Sequence, residues 1–160
     1  MNAVEFAIKM EADAVAFYRQ CADRTNNPIG RKMFLSIAED EQYHIACAKK
    51  VAAGESFDPA ASSPKQDMKT IYEQNKDAMQ RLTATADEIE ALKIAMKMEK
   101  EGADFYRKAA AEASSPAEKA FFECLMKDEE EHFAIFQNTC NFLSDTGNWF
   151  MWEEKGIVEG

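Results

Sequence analysis

An all-α fold is predicted for this 160-residue chain: a four-helix bundle of two repeated helical hairpins with a long crossover, followed by a short C-terminal segment. The composition, 46% hydrophobic and 30% charged with 6 Gly and 4 Pro, favours helix, and β-branched runs of period two are absent. Apolar residues recur at steps of three and four along four separate stretches, the spacing of one helix face. The first half of the chain also returns in the second under one constant shift of 88 residues, which takes Val4 to Leu92, Glu11 to Glu99, Tyr18 to Tyr106, Pro28 to Pro116, Glu41 to Glu129 and His44 to His132. A repeat of that length with two copies is a duplicated hairpin, not a solenoid unit. One domain over 1–160 is expected, divided into a hairpin over 3–52, a crossover over 53–84, a hairpin over 85–142 and an aromatic tail over 143–160.

The first helix is expected over Ala3–Asp23, with Val4, Ile8, Val15 and Ala22 on its inner stripe. Asn27 followed by Pro28 is a cap and first-turn signal for the second helix, whose stripe is Phe34, Ile37, Ala48 and Val51. From Ala53 to about Lys65 the Gly, Ser and Pro content breaks helix. Extended at roughly 3.3 Å per residue, that linker reaches about 40 Å, enough to cross the bundle end to end. A short outer helix is expected over Asp67–Leu82. Thr85 to Glu88 forms a capping box for the third helix, with Leu92, Met96, Ala103 and Ala110 inward; Ser115 to Glu118 caps the fourth, with Phe122, Leu125, Phe136 and Thr139 inward. Two hairpins joined this way place the second and third helices parallel.

Charged residues interrupt each of these apolar stripes at repeat-equivalent places. Glu11 and Tyr18 fall on the first stripe, Glu41 and His44 on the second, Glu99 and Tyr106 on the third, Glu129 and His132 on the fourth, and His44 and His132 are the only histidines. A histidine three residues after a glutamate shares its helix face, so each pair aims at one place. A lone Glu on such a stripe is usually tilted to solvent, and the run Lys127–Glu131 is for the most part a solvated face. Four buried carboxylates together, however, need compensating positive charge. Two divalent ions would supply about +4 against about −4 from the glutamates. Oxygen donors with some imidazole suit iron first and manganese second, whereas structural zinc would favour cysteine. The candidate metal ligands are therefore Glu11, Glu41, His44, Glu99, Glu129 and His132, with Glu41 and Glu129 bridging and no further catalytic side chain. Spacing leaves open which histidine goes with which ion. Asp40 and Asp128 either orient the histidine of the opposite hairpin or are solvated helix charges. Tyr18 and Tyr106 either reach ligand carboxylates with their hydroxyls, which the repeat's use of Tyr in place of Phe favours, or are core aromatics with a satisfied hydroxyl.

The net charge of −10 opposes binding to a phosphate backbone, so nucleic acid is not an expected partner. No basic-then-apolar leader and no membrane-length apolar run is found, and a cytoplasmic protein without membrane contact is expected. Cys21, Cys47, Cys124 and Cys140 form no Cys-x-x-Cys pair and read as apolar filler in a reducing compartment.

The order Glu11, Glu41-x-x-His44, Glu99, Glu129-x-x-His132 resembles the ferritin-like superfamily and, within it, the rubrerythrin-like di-iron proteins. That resemblance covers most of Ala3–Cys140. It implies a ferritin-like bundle holding two iron ions in a non-haem oxidoreductase, a peroxidase or oxidase that reduces hydrogen peroxide or dioxygen in oxidative-stress defence. It also implies an external electron-donor protein and pairing into a homodimer. An iron-binding or iron-storage protein of ferroxidase type is the alternative. The chain departs from the resemblance at two points. Such proteins carry a second glutamate three residues after the third-helix ligand, where this chain has Gly102, and the usual rubredoxin module is not found in the chain. Loss of that glutamate implies a more symmetric site.

Overall fold

The computed structural model describes residues 1–57 and 85–146. Four helices make up this part: α1 (Ala3–Arg24), α2 (Pro28–Ala52), α3 (Ala86–Glu112) and α4 (Pro116–Thr146). The outer helix expected over Asp67–Leu82 and the aromatic cluster Asn148–Trp152 lie outside the described residues. Helix α4 runs on to Thr146, into the stretch expected to begin the tail. Among the described residues no helix is long and apolar enough to cross a membrane.

Each helix starts where side chains can satisfy its free N–H groups. Asn27 Oδ1 accepts from the N–H groups of Ile29 and Gly30, with Pro28 in the first turn, and Thr85 and Glu88 close a reciprocal capping box. The Glu118 N–H donates to Ser115 Oγ at 3.1 Å. A second reciprocal box, Asn2 with Glu5, opens α1 and was not among the expected caps. After α2 the chain turns through Gly54 at a φ of 77°, a left-handed conformation that glycine adopts without a Cβ clash.

Contacts across the bundle set the helix directions. Tyr18 of α1 bonds to Glu99 of α3, and Tyr106 of α3 bonds to Glu11 of α1. An early residue on each helix meets a late one on the other, so α1 and α3 are antiparallel. By the same reasoning His44 with Asp128 and His132 with Asp40 make α2 and α4 antiparallel. Since α1 also packs antiparallel on α2 within its hairpin, α2 and α3 run parallel, the arrangement expected from the long crossover.

The core divides into two apolar plugs, one on each side of the polar centre. Tyr18, Phe34 and Phe136 anchor one, and Tyr106, Phe121 and Phe122 the other. Tyr18 stacks on Phe34 with centroids 6.3 Å apart, and the repeat-equivalent Tyr106 stacks on Phe122 at 6.1 Å. Burying each such ring stabilises the fold by about 1.5–3 kcal/mol, which offsets the cost of the charged layer between the plugs. Ile8 and Met96, expected inward, are half-buried; their neighbours Ala7 and Ala95 take fully buried positions. Cysteines 21, 47 and 140 are buried, and none of the four cysteines forms a disulfide among the described residues, consistent with a role as filler.

Candidate metal centre

Glu11 on α1, Glu41 and His44 on α2, Glu99 on α3, and Glu129 and His132 on α4 are each at most 3% exposed. The i, i+3 spacing within α2 and α4 points each Glu and His the same way, and antiparallel packing brings the four faces together. They form two overlapping groups, Glu11, Glu41, His44 and Glu129, and Glu41, Glu99, Glu129 and His132. In each group the potential ligand atoms lie within 4.8 Å of one another, and either group could hold a metal ion. Glu41 and Glu129 belong to both. The pairing that spacing leaves open is resolved by the bundle: His44 sits with Glu11 of its own hairpin, and His132 with Glu99 of its own.

Both imidazoles have the same posture. His44 Nδ1 faces Glu11 and Glu129 at 3.4 Å each and Glu41 at 3.6 Å, while its Nε2 lies 2.8 Å from Asp128 Oδ2. His132 Nδ1 faces Glu41 at 3.0 Å and Glu99 at 3.5 Å, and its Nε2 lies 2.9 Å from Asp40 Oδ2. Once the ring is neutral, an Nε2–H donated to the aspartate would leave the Nδ1 lone pair directed into the cluster, the tautomer a metal ligand needs. The carboxylates are held in turn from the opposite hairpin: the Tyr18 hydroxyl donates to Glu99 Oε1 at 2.6 Å, and Tyr106 donates to Glu11.

Polar satisfaction stops at the inner edge of this layer. Glu11 Oε2, Glu41 Oε1, Glu99 Oε2, Glu129 Oε1, His44 Nδ1 and His132 Nδ1 are buried and have no hydrogen-bond partner. The 3.0 Å approach of His132 Nδ1 to Glu41 is thus a charge contact, not an aligned hydrogen bond. Leaving one such atom unsatisfied costs about 1–3 kcal/mol, more when charged. Six of them converging, four oxygens and two imidazole nitrogens, fit hard or borderline divalent ions.

Without a cation the cluster is neutralised by protons. Burial, with repulsion from Glu11, pushes the Glu41 and Glu129 carboxyls well above the ordinary carboxylate range. Burial opposes charge on His44, but the Glu11 carboxylate and the hydrogen bond to Asp128 outweigh it and hold the ring protonated well above its usual range. Glu99 and Asp40 do the same for His132. Burial raises Glu11 as well, yet His44 outweighs it and holds that carboxyl down at about 2.

Asp40→Asn is expected to weaken metal binding about 10–100-fold, since the amide no longer supplies the charge that fixes the His132 ring. Isothermal titration of the metal-free variant measures this, and unchanged affinity would remove the orienting role.

A cavity of about 190 Å³ opens onto the cluster between α1 and α3, reaching Glu11, Glu41, Glu99, Glu129 and Tyr18. Gly102 lies in its wall, and a Cβ there would sit 3.2 Å from Glu129 Oε2. The glycine is therefore a place of close backbone approach to a candidate ligand. Sequence reasoning identified Gly102 as a missing carboxylate and as a position that opens space near one ion. It passed over the rest of the wall, because Asp13 and Glu101 look like ordinary surface charges and Met10 and Met98 like core residues.

The family model described as Rubrerythrin matches residues 2–140. Among curated proteins and among solved structures, none matches the chain significantly.

Proposed function

From the premise that this chain belongs to the rubrerythrin family, we propose that it is a non-haem di-iron oxidoreductase that reduces hydrogen peroxide or dioxygen with electrons from an external donor protein. The observation that carries this reading is the convergence of six buried, unpartnered ligand atoms in two overlapping groups. In it, Glu11 and His44 would hold one ion, Glu99 and His132 would hold the other, and Glu41 and Glu129 would be available to both. Iron matches the family and the donor set, and manganese satisfies the same donors. When bound, such a pair supplies electrons to an O–O bond and stabilises charge developing on its oxygens.

The chain's own part is positional. Asp40 and Asp128 keep each imidazole in one tautomer, Tyr18 and Tyr106 keep one oxygen of Glu99 and Glu11 turned away from the cluster, and the two apolar plugs limit water to the cavity between α1 and α3. A second reading, iron binding or storage without sustained turnover, draws on Gly102, which leaves the position of the additional glutamate without a carboxylate.

Turnover separates the two. Anaerobically reduced, iron-loaded protein given excess peroxide and a continuing reductant is expected to consume many equivalents per chain. Consumption that ends after one equivalent per site would favour storage.

A further inference from the structure

Apart from Tyr18, the cavity between α1 and α3 is built from repeat-equivalent residues. Met10 and Met98 form its sides, Ala14 and Gly102 lie deeper, and Asp13 and Glu101 stand at its solvent end, each pair related by the same shift of 88 as the ligands. The passage therefore runs along the pseudo-twofold axis of the bundle, leading inward to the unpartnered oxygens of Glu11, Glu41, Glu99 and Glu129. From end to end it presents carboxylates, with thioethers between them. That lining disfavours an anion and favours a cation.

We propose that this passage is the entry route for the divalent ions of the centre, with Asp13 and Glu101 as a transient cation site at its mouth. The inference rests on the metal-binding reading of the cluster. Each rim carboxylate has a lysine one turn earlier, Lys9 to Asp13 at 3.4 Å and Lys97 to Glu101 at 3.8 Å. All four side chains are at least 64% exposed. Pairs so exposed are weak and screened, so an arriving dication displaces the lysine readily. The volume of about 190 Å³ has room for an ion with several waters, at roughly 30 Å³ each. An ion can thus enter with part of its water shell and exchange those waters for the carboxylates at the inner end. Gly102 keeps the inner end open, because a Cβ would press on Glu129 Oε2 at 3.2 Å.

The test is stopped-flow uptake of Co²⁺ by metal-free protein, followed by its absorption, in the parent and in the exposed double variant Asp13→Asn/Glu101→Gln. The variant is expected to load about tenfold more slowly, with a shallower dependence of rate on salt and the same final Co²⁺ content as the parent. Loading at the parent rate would overturn the route. So would a lower final content, which would make the rim residues ligands of the centre. A parent that takes up no Co²⁺ would instead overturn the metal-binding reading itself, a result distinguishable from both.

Discussion

Glu41→Gln is expected to abolish binding of both metal ions while leaving the metal-free fold intact. Glu41 is one of two carboxylates common to both candidate groups, so its loss removes a donor from each. Glu11→Gln, which touches one group only, is expected to leave about one ion per chain. The substitution at Glu41 separates binding from folding because burial and Glu11 already hold that carboxyl protonated. A glutamine amide has nearly the shape of a neutral carboxyl, so metal-free Glu41→Gln is expected to melt no lower than metal-free parent. Metal at a thousandfold excess over its dissociation constant stabilises a fold by about 4 kcal/mol. The parent is expected to show an increment of that order and the variant almost none. Metal content by atomic emission, with thermal melts of both forms, measures this. Two ions per chain in Glu41→Gln would show that Glu41 is not a ligand.

Stability of the metal-free protein is expected to fall as pH rises above about 5, and the increment due to metal to grow over the same range. For His44 and His132 the folded pKa is raised, so their contribution is present below the ordinary imidazole value near 6.5 and is lost as pH rises through the folded value. Glu41 and Glu129 act in the same direction, since the fold favours their protonated form and opposes ionisation above the ordinary value of 4.5. Glu11 has the opposite sign: held at about 2, it stabilises above 4.5 and that contribution is lost toward pH 2. Metal-free stability therefore peaks in mild acid. Bound ions take the place of the protons, so uptake releases protons, and the overall binding constant increases about tenfold per pH unit for each proton displaced. Melts of both forms between pH 5 and 8, with proton release on titration in weak buffer, measure this. Metal binding without proton release would contradict the protonated state assigned to the cluster.

Much of the architecture was legible because each signal is local or exactly repeated. The caps at Asn27, Thr85 and Ser115 are fixed by side chains within three residues of the N–H groups they satisfy. The stripes follow from helical periodicity, and the shift of 88 aligns six candidate ligands without reference to any contact. The cap at Asn2 was open to the same reading, since Glu5 follows at the capping-box spacing.

What stayed hidden depends on neighbours distant in sequence. Tyr18 is seven residues from Glu11 on the same helix, about 10 Å along the axis, too far for a hydrogen bond. Only the antiparallel approach of α3 brings it Glu99 instead. The division of the histidines is of the same kind: helix phase aims His44 and His132 inward, but the distances to Glu11 and Glu99 exist only after four helices pack. The passage between α1 and α3 is a gap, and a gap leaves no hydrophobic period to read.

By itself, then, the sequence determined the four helices, their duplication and the identity of the inward-facing Glu and His residues, because helix phase and capping are properties of short segments. The tertiary structure decided which carboxylates each imidazole faces, that every one of the six residues keeps an unpartnered atom, and that an acidic passage leads to them. The physical reason is that distance, burial and desolvation are properties of side chains from different helices, and none is defined until those helices meet.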